Sequence, residues 1–294
     1  MQSSRVLLAL SLVGLVGCSA SSGRGRTGYE DPAPTPADPT PTPSPGDFNK
    51  DPVKPPVTPP GEVNEVFGHS SDSLFRLDPK TNTVTDVGPF SGCSSIIDIA
   101  LDESSTLYAV SYTALYTVDK TTAKCTSVAK GDYPNSLSFV PKGTVDQNEE
   151  ALVGYVDADY VRIDTKTGAR TTIGTLGGGL RSSGDIASVK GGKTFLTVKG
   201  TGNTCTANDC LVEIDPATGK LVKNWGSIEH RNVFGLSFWG GKVYGFDDSG
   251  SLFEVTFGSS SITTTTIAIP TKPANLSFWG AGSSTSAPLV SPTK

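Results

Sequence analysis

A short pattern of apolar and polar positions recurs along most of the chain. An apolar residue, two variable residues, a second apolar residue and an aspartate are followed by a turn that contains threonine. Copies occupy residues 74–82, 115–122, 160–168 and 211–219, and a degenerate fifth copy occupies 252–256. The four aspartates lie 41, 45 and 51 residues apart. A period of this length, with only strands and turns between copies, predicts the blades of a β-propeller.

A second pattern precedes the aspartate unit within each period. It consists of Ile or Leu, a small residue and a third, mostly apolar residue, and it occupies 99–101, 137–139, 186–188, 236–238 and 276–278. We predict that these segments are the innermost strands. The first aspartate unit has no such segment before it, and the last such segment has no aspartate unit after it. Segment 276–278 is therefore expected to complete the N-terminal blade.

Residues 62–282 are thus predicted to form an all-β domain, a β-propeller of five four-stranded blades closed by a C-terminal inner strand. Closure of the ring protects sheet edges that would otherwise aggregate. The repeats resemble those of the YVTN, quinoprotein-like and WD40-like propellers, although none of the signatures of those families is matched in full. The 51-residue interval leaves the blade count open, and a two-sheet β-sandwich is the alternative fold.

Composition agrees with an all-β domain and limits the partners. The 294 residues include 33 Gly, 21 Pro and a single Met, which favours turns over long helices. Lys and Arg number 24 against 29 Asp and Glu, so the formal charge is -5. We therefore expect no nucleic-acid partner and no electrostatic attraction to an anionic membrane.

The N-terminus has the organisation of a secretory signal. One arginine precedes an apolar run at 6–16, which is shorter than the roughly 20 residues of a membrane-spanning helix. The following Leu-Val-Gly-Cys at 15–18 resembles the lipobox of bacterial lipoproteins. This resemblance implies a signal peptide over 1–17 and acyl chains such as palmitate on Cys18, which anchor the exported protein to a membrane. Ser19 after the cysteine favours the outer membrane if the source is Gram-negative.

Two further segments are predicted outside the propeller. Residues 18–61 hold 12 of the prolines and are expected to form a disordered, semi-rigid tether between the lipid and the domain. Residues 283–294 are expected to be a flexible C-terminal tail.

Four cysteines remain after the lipid anchor is assigned. In an exported protein disulfides persist, and we predict the pairs Cys93 with Cys125 and Cys205 with Cys210. The first would link neighbouring blade connections, and the second would close a short polar loop.

The repeated aspartates Asp78, Asp119, Asp164 and Asp215 could suggest a catalytic or calcium role. Each ends a predicted strand and is followed by a turn, so we interpret its carboxylate as an acceptor for local backbone N–H groups. Because each belongs to a different blade, the four should not converge on one ion.

The residues just before the innermost strands are better candidates for a shared site. Asp98, Ser136, Asp185, Gly235 and Asn275 should approach the mouth of the central channel. Two carboxylates, a hydroxyl and an amide could bind calcium or anchor a polar ligand. The alternative is a hydrated channel lined by residues that cap strand ends.

Catalytic signals are weak. The chain has two histidines, His69 and His230, which leaves few bases for a triad or ligands for zinc, and it has no Gly-x-Ser-x-Gly elbow. Trp225, Trp239 and Trp279 could be sugar-stacking platforms. The last two lie in a repeated Ser-Phe-Trp-Gly element, however, which favours a place in the core.

We therefore predict a non-catalytic binding or scaffold module, anchored by lipid at the cell envelope, whose partner is a protein, a glycan or a surface polymer. The alternatives are a carbohydrate-active propeller enzyme, either a hydrolase or a lyase, and a structural envelope protein that binds further copies of itself.

Overall fold

The computed structural model describes residues 65–200, 205–269 and 272–291. The predicted signal peptide, Cys18 and the predicted tether lie outside these ranges. Twenty β-strands make up the regular structure of these ranges. The first ten are β1 (Val66–His69), β2 (Ser73–Asp78), β3 (Thr83–Pro89), β4 (Asp98–Leu101), β5 (Leu107–Ser111), β6 (Ala114–Val118), β7 (Cys125–Lys130), β8 (Leu137–Val140), β9 (Ala151–Val156) and β10 (Asp159–Ile163).

The remaining strands continue the same alternation of strand and turn. They are β11 (Arg170–Thr175), β12 (Leu180–Ser188), β13 (Thr194–Gly200), β14 (Cys210–Ile214), β15 (Leu221–Ser227), β16 (Val233–Trp239), β17 (Lys242–Asp247), β18 (Leu252–Phe257), β19 (Ile262–Ile267) and β20 (Gly280–Ser283). Within the described ranges, no helix has the length and apolar character needed to cross a bilayer.

The strands form five antiparallel sheets of four strands each. Blade 1 has the order β20-β1-β2-β3, and blades 2 to 5 are β4 to β7, β8 to β11, β12 to β15 and β16 to β19. The first strand of each sheet contacts the first strand of the next, from β4 through β8, β12 and β16 to β20 and back to β4. The domain is a five-bladed β-propeller. The β-sandwich alternative is thereby excluded.

The innermost strands all run in the same direction, so the ring has two distinct faces. We call the face where these strands begin the upper face, and the face where they end the lower face. The apolar core lies between neighbouring blades, because each sheet buries side chains on both of its surfaces. The outermost strands have mostly exposed and half-buried residues.

Ring closure follows the predicted principle but uses a different segment. The strand that pairs with β1 is β20, from Val66 opposite Ser283 to His69 opposite Gly280. The prediction of residues 276–278 as this strand was wrong by four positions, since those residues have no strand structure. The sequence Gly-Ala-Gly-Ser fits this place because neighbouring side chains leave little space: a Cβ on Gly280 would overlap His69 Nε2 of blade 1 and Asp98 Oδ1 of blade 2.

The residues after β20 pack against the lower face. We call residues 284–291 the C-terminal strap. The Ser284 hydroxyl donates to the Asp102 carbonyl at 2.8 Å, the Lys190 N–H donates to the Thr285 carbonyl, and the Gly240 N–H donates to the carbonyl of residue 288. A segment that we expected to be a free tail from residue 283 onward therefore begins as strand and continues as a bonded strap.

The turn interpretation of the repeated aspartates is confirmed. Asp119 Oδ1 accepts the N–H groups of Thr121 and Thr122 at 2.8 and 3.0 Å, and Asp164 accepts two N–H groups in the same way. Asp78 and Asp215 each accept the N–H two residues further on. The turn hydrogen bonds lower the pKa of Asp119 to about 2, chiefly through the Thr121 hydroxyl and N–H.

Both predicted disulfides are present. Cys93 is bonded to Cys125 and ties the connection between blades 1 and 2 to the outer strand β7. Cys205 is bonded to Cys210 at the start of β14. Nine residues separate the end of β13 from the start of β14, and they account for the longer sequence interval before Asp215.

Candidate functional site

Three of the predicted channel residues meet at the upper end of the innermost strands. Asp98 is the first residue of β4, Ser136 directly precedes β8, and Asp185 lies in β12. Gly235, in β16, is packed against Ala281 of the closing strand. The side chains of the first three are fully buried. The sequence pattern thus identified residues that lie together, but it placed them at an open channel mouth rather than in the interior.

Asp185 is the hub that links the blades at this point. Its Oδ2 accepts the Leu236 N–H of blade 5 at 2.8 Å, and its Oδ1 accepts the Leu137 N–H of blade 3 at 3.4 Å. A side-chain hydrogen bond joins it to Asp98 of blade 2. The Asp185 carboxylate of blade 4 therefore connects to blades 2, 3 and 5.

The two carboxyl groups share a proton. Burial raises the pKa of Asp98 well above its usual range, and the negative charge of Asp185 raises it further. Burial also raises the pKa of Asp185, against the lowering effect of its hydrogen bonds. Two carboxylates this close and this dry cannot both ionise, so at least one stays protonated and donates to the other.

His69 completes the buried cluster from blade 1, a place that the sequence did not indicate. Its Nδ1 donates to the Ser70 carbonyl at 2.7 Å, while burial lowers its pKa to about 4 and keeps the ring neutral. In the described part of the chain, His69 Nε2 and Ser136 Oγ have no hydrogen-bond partner.

The buried cluster differs from the metal site that we considered. Among the described residues, no group of three or more His, Cys, Asp or Glu is arranged to hold a metal ion. Calcium takes six to eight oxygen ligands, and a carboxyl pair that shares a proton offers few. Asn275, the fourth candidate ligand, is exposed on the upper face and does not belong to the cluster.

Asn275 instead lines a second site on the upper face, a pocket between blade 1 and residues 273–279, which lead into β20. We call it the Trp279 pocket. Its volume is about 400 Å³, and its polar and aromatic lining includes Ser70, Asp72, Ser73, Asp86, Asn275 and Trp279. The Ser70 hydroxyl donates to Asp72 Oδ1 at 2.7 Å, which orients that carboxylate. Asn275 has a positive φ of 64°, a conformation that asparagine tolerates better than most residues.

The tryptophans are divided between core and surface. Trp239 is 3% exposed and lies in the core, as we expected, whereas Trp279 is 40% exposed. The expectation of a core position was therefore wrong for Trp279, because residues 276–279 are not part of a strand and Trp279 lines a surface pocket. Trp225 is half-buried between blades 4 and 5.

Neither histidine is arranged with a nucleophile. His230 Nδ1 lies 2.8 Å from Asp247 Oδ2, and its ring stacks on Phe253. The hydroxyl of Ser249 bonds to Asp247 rather than to the imidazole. His69 is enclosed in the buried cluster. These contacts are those of structural side chains.

Comparison with known proteins gives only remote structural likenesses. No protein-family model matches the chain, and no curated protein matches it in sequence. A chain of the nidogen/laminin complex is 13% identical with a TM-score of 0.44, over 74% of this chain and 97% of that one. Hydrazine synthase from Kuenenia stuttgartiensis is 14% identical with a TM-score of 0.37, over 69% of this chain and 62% of that one.

An oligogalacturonate lyase in complex with manganese is 13% identical with a TM-score of 0.36, over 68% of this chain and 61% of that one. The chain thus spans about three fifths of the length of the synthase and lyase chains. Likenesses this remote carry no argument about function.

Proposed function

We propose that the protein is an exported, non-catalytic binding module, held at a membrane by acyl chains on Cys18, that captures a glycan in the Trp279 pocket. The observation that carries the proposal is the exposed Trp279 ring inside a polar concavity. An indole offers a flat apolar face to the C–H surface of a sugar, and the surrounding carboxylates, hydroxyls and amide offer hydrogen bonds to its O–H groups.

The charge of the pocket narrows the ligand class. Asp72 and Asp86 line it, and none of its lining residues is a lysine or an arginine. A neutral glycan or one carrying amino groups suits this lining, whereas a polyuronate would be repelled. The volume of about 400 Å³ falls within the usual range for small-ligand sites.

The buried cluster supports a binding rather than a catalytic role. Asp98 and Asp185 are the paired carboxylates that a glycosidase would use, but both are 0% exposed. Substrate cannot reach them in this arrangement. Their contacts stabilise the ring that positions the pocket loops.

The test is a calorimetric titration of the full chain with chitotetraose, cellotetraose and tetragalacturonate. We expect at least one of the first two to bind and tetragalacturonate not to bind. Trp279→Ala should weaken binding by tenfold or more, about 1.4 kcal/mol. Tyr112→Ala is the matched control, because it removes an exposed aromatic ring outside the pocket.

The outcomes separate the alternatives. Equal binding by wild type and Trp279→Ala, or no binding of any of the three sugars, would contradict the proposal. Chromatography of the sugars after incubation should return them intact. Shortened products would favour the carbohydrate-active enzyme instead.

A further inference from the structure

A second concavity, near the lower face, differs from the Trp279 pocket in chemistry. It opens between blades 4 and 5 with a volume of about 240 Å³. We call it the lower cleft, and its walls are Phe195, Trp225, Phe238 and Phe257. Phe257 joins the two blades, since its ring lies 5.0 Å from the rings of both Phe195 and Trp225. Aromatic rings therefore form most of the lining.

Two lysines lie over the Trp225 wall of this apolar cleft, and Lys193 also lines the cleft itself. Lys223 Nζ lies 3.2 Å from the centroid of the Trp225 ring, and Lys193 Nζ lies 5.3 Å from it. Glu213 holds Lys193 at the rim with an ion pair of 2.7 Å. Two cations and one carboxylate leave the rim positive, although the whole chain carries a formal charge of -5.

The strap extends the apolar surface at the edge of the cleft. Leu289 lies against Gly192, which lines the cleft, and the Leu289 side chain is itself 42% exposed. Its neighbour Val290 is 75% exposed. Exposed apolar side chains next to an open aromatic cleft are typical of ligand-binding surfaces.

We infer that the lower cleft is a binding site for a small aromatic carboxylate. The aromatic ring of the ligand would pack among Phe195, Phe238 and Phe257, and its carboxylate would lie at the rim beside the ammonium groups of Lys193 and Lys223. The apolar walls provide the affinity, and the two cations select an anion over a neutral or cationic analogue.

Three probes of similar size and different charge test this inference on the full chain: phenylacetate, benzyl alcohol and 2-phenylethylammonium. Binding is followed by the NMR shift of the Trp225 indole N–H, which Trp225→Phe identifies. We expect phenylacetate to bind at least fivefold more tightly than benzyl alcohol, and the ammonium probe to bind most weakly. The preference should diminish as salt is added.

Two sets of variants separate charge from shape. The double variant Lys193→Gln with Lys223→Gln should reduce the phenylacetate affinity to that of benzyl alcohol. The control Lys142→Gln with Lys166→Gln removes two exposed lysines of blade 3 and should change nothing. Phe257→Leu should weaken phenylacetate and benzyl alcohol together, and its melting temperature checks that the fold is retained.

Trp279→Ala should leave phenylacetate binding unchanged, so this inference can fail or hold independently of the proposed glycan site. Equal affinity for the three probes would overturn the inference. So would an unshifted Trp225 resonance at millimolar phenylacetate.

Discussion

The chain contains the sequence Leu-Ser-Phe-Trp-Gly twice, at residues 236–240 and 276–280, and the two copies have different structures. The first copy forms the end of β16, and its Phe238 N–H donates to Ser283 Oγ of the closing strand at 2.8 Å. In the second copy, residues 276–279 have no regular structure, and Gly280 begins β20. Its Trp279 N–H donates to the His69 carbonyl, and so joins it to blade 1.

The difference arises from the residues that follow the tryptophan of each copy. Two glycines with positive φ, Gly240 and Gly241, come after Trp239 and turn the chain back into β17. After Trp279 come Gly-Ala-Gly-Ser, the small residues that the crowded centre of the ring accepts as a strand. Identical local sequence therefore does not determine where a segment lies in the fold. The small residues that follow Trp279 fit near the ring axis, so they form the closing strand while residues 276–279 do not. One copy becomes core and the other forms a wall of the proposed glycan site.

The largest expected difference between the copies is in stability. Trp239→Ala removes a buried ring and should lower the free energy of unfolding by about 3–5 kcal/mol. Trp279→Ala removes a half-exposed ring and should lower it by less than about 1 kcal/mol. Denaturant unfolding of the full chain measures both values. Equal losses would contradict the assignment of the first copy to the core and the second to a pocket wall.

The next effect concerns the strand that continues from the second copy. Gly280→Ala would place a methyl group against the buried Asp98 and His69 side chains, and it should destabilise the domain by about 1–3 kcal/mol. Gly282→Ala, in the same strand, is the control. Its methyl group would lie 3.0 Å from the Ile99 carbonyl oxygen, so a smaller loss is expected. A smaller loss for Gly280→Ala than for Gly282→Ala would indicate that the buried cluster can move aside.

The smallest effect is the pH dependence of the domain's stability at the contact between Glu150 and the strap. The strap follows β20, and so it follows the second copy of the sequence and not the first. The Thr285 hydroxyl and the Glu103 N–H both donate to the Glu150 carboxylate. Burial raises the pKa of Glu150 to about 7, and the charges of Glu103 and Asp102 also act to raise it. Its contribution to stability is thus fully present below its unfolded pKa of about 4.5 and is lost as the pH rises through about 7.

Glu150→Gln removes this titration. Because the group is partly exposed, we expect the variant to flatten the decline in stability between about pH 5 and 8 by on the order of 1 kcal/mol. Thermal melts of wild type and variant across that range check it. Parallel pH profiles would show that Glu150 does not titrate there.

Features encoded by local spacing could be predicted from the sequence. The turn aspartates such as Asp119, and the pairing of Cys205 with Cys210, depend on neighbours a few residues away. Four of the five innermost strands follow one pattern, and the ring closure follows from the order of the units. The upper ends of these strands also identified Asp98 and Asp185 as neighbours.

Features set by packing between distant segments could not be predicted. The register of the closing strand depends on the space beside Asp98 and His69. The spacing of the sequence repeats carries no information about that space. His69 is buried only because blades 1 and 2 meet there, and a single histidine in a strand carries no sign of that. The exposure of Trp279 results from the same register. The repeat predicted a core position for this indole, yet it has the exposure that a sugar-stacking side chain requires.

The pairing of β1 with β20 also dictates an order of assembly. Val66, near the start of the propeller, pairs with Ser283, near its end. Blades 2 to 5 can therefore form their internal hairpins while blade 1 still lacks its inner strand. Contacts so distant along the chain slow folding and leave an unpaired edge until the last residues are available. A chain truncated before residue 280 would lack β20, and the inner edge of β1 would stay unpaired.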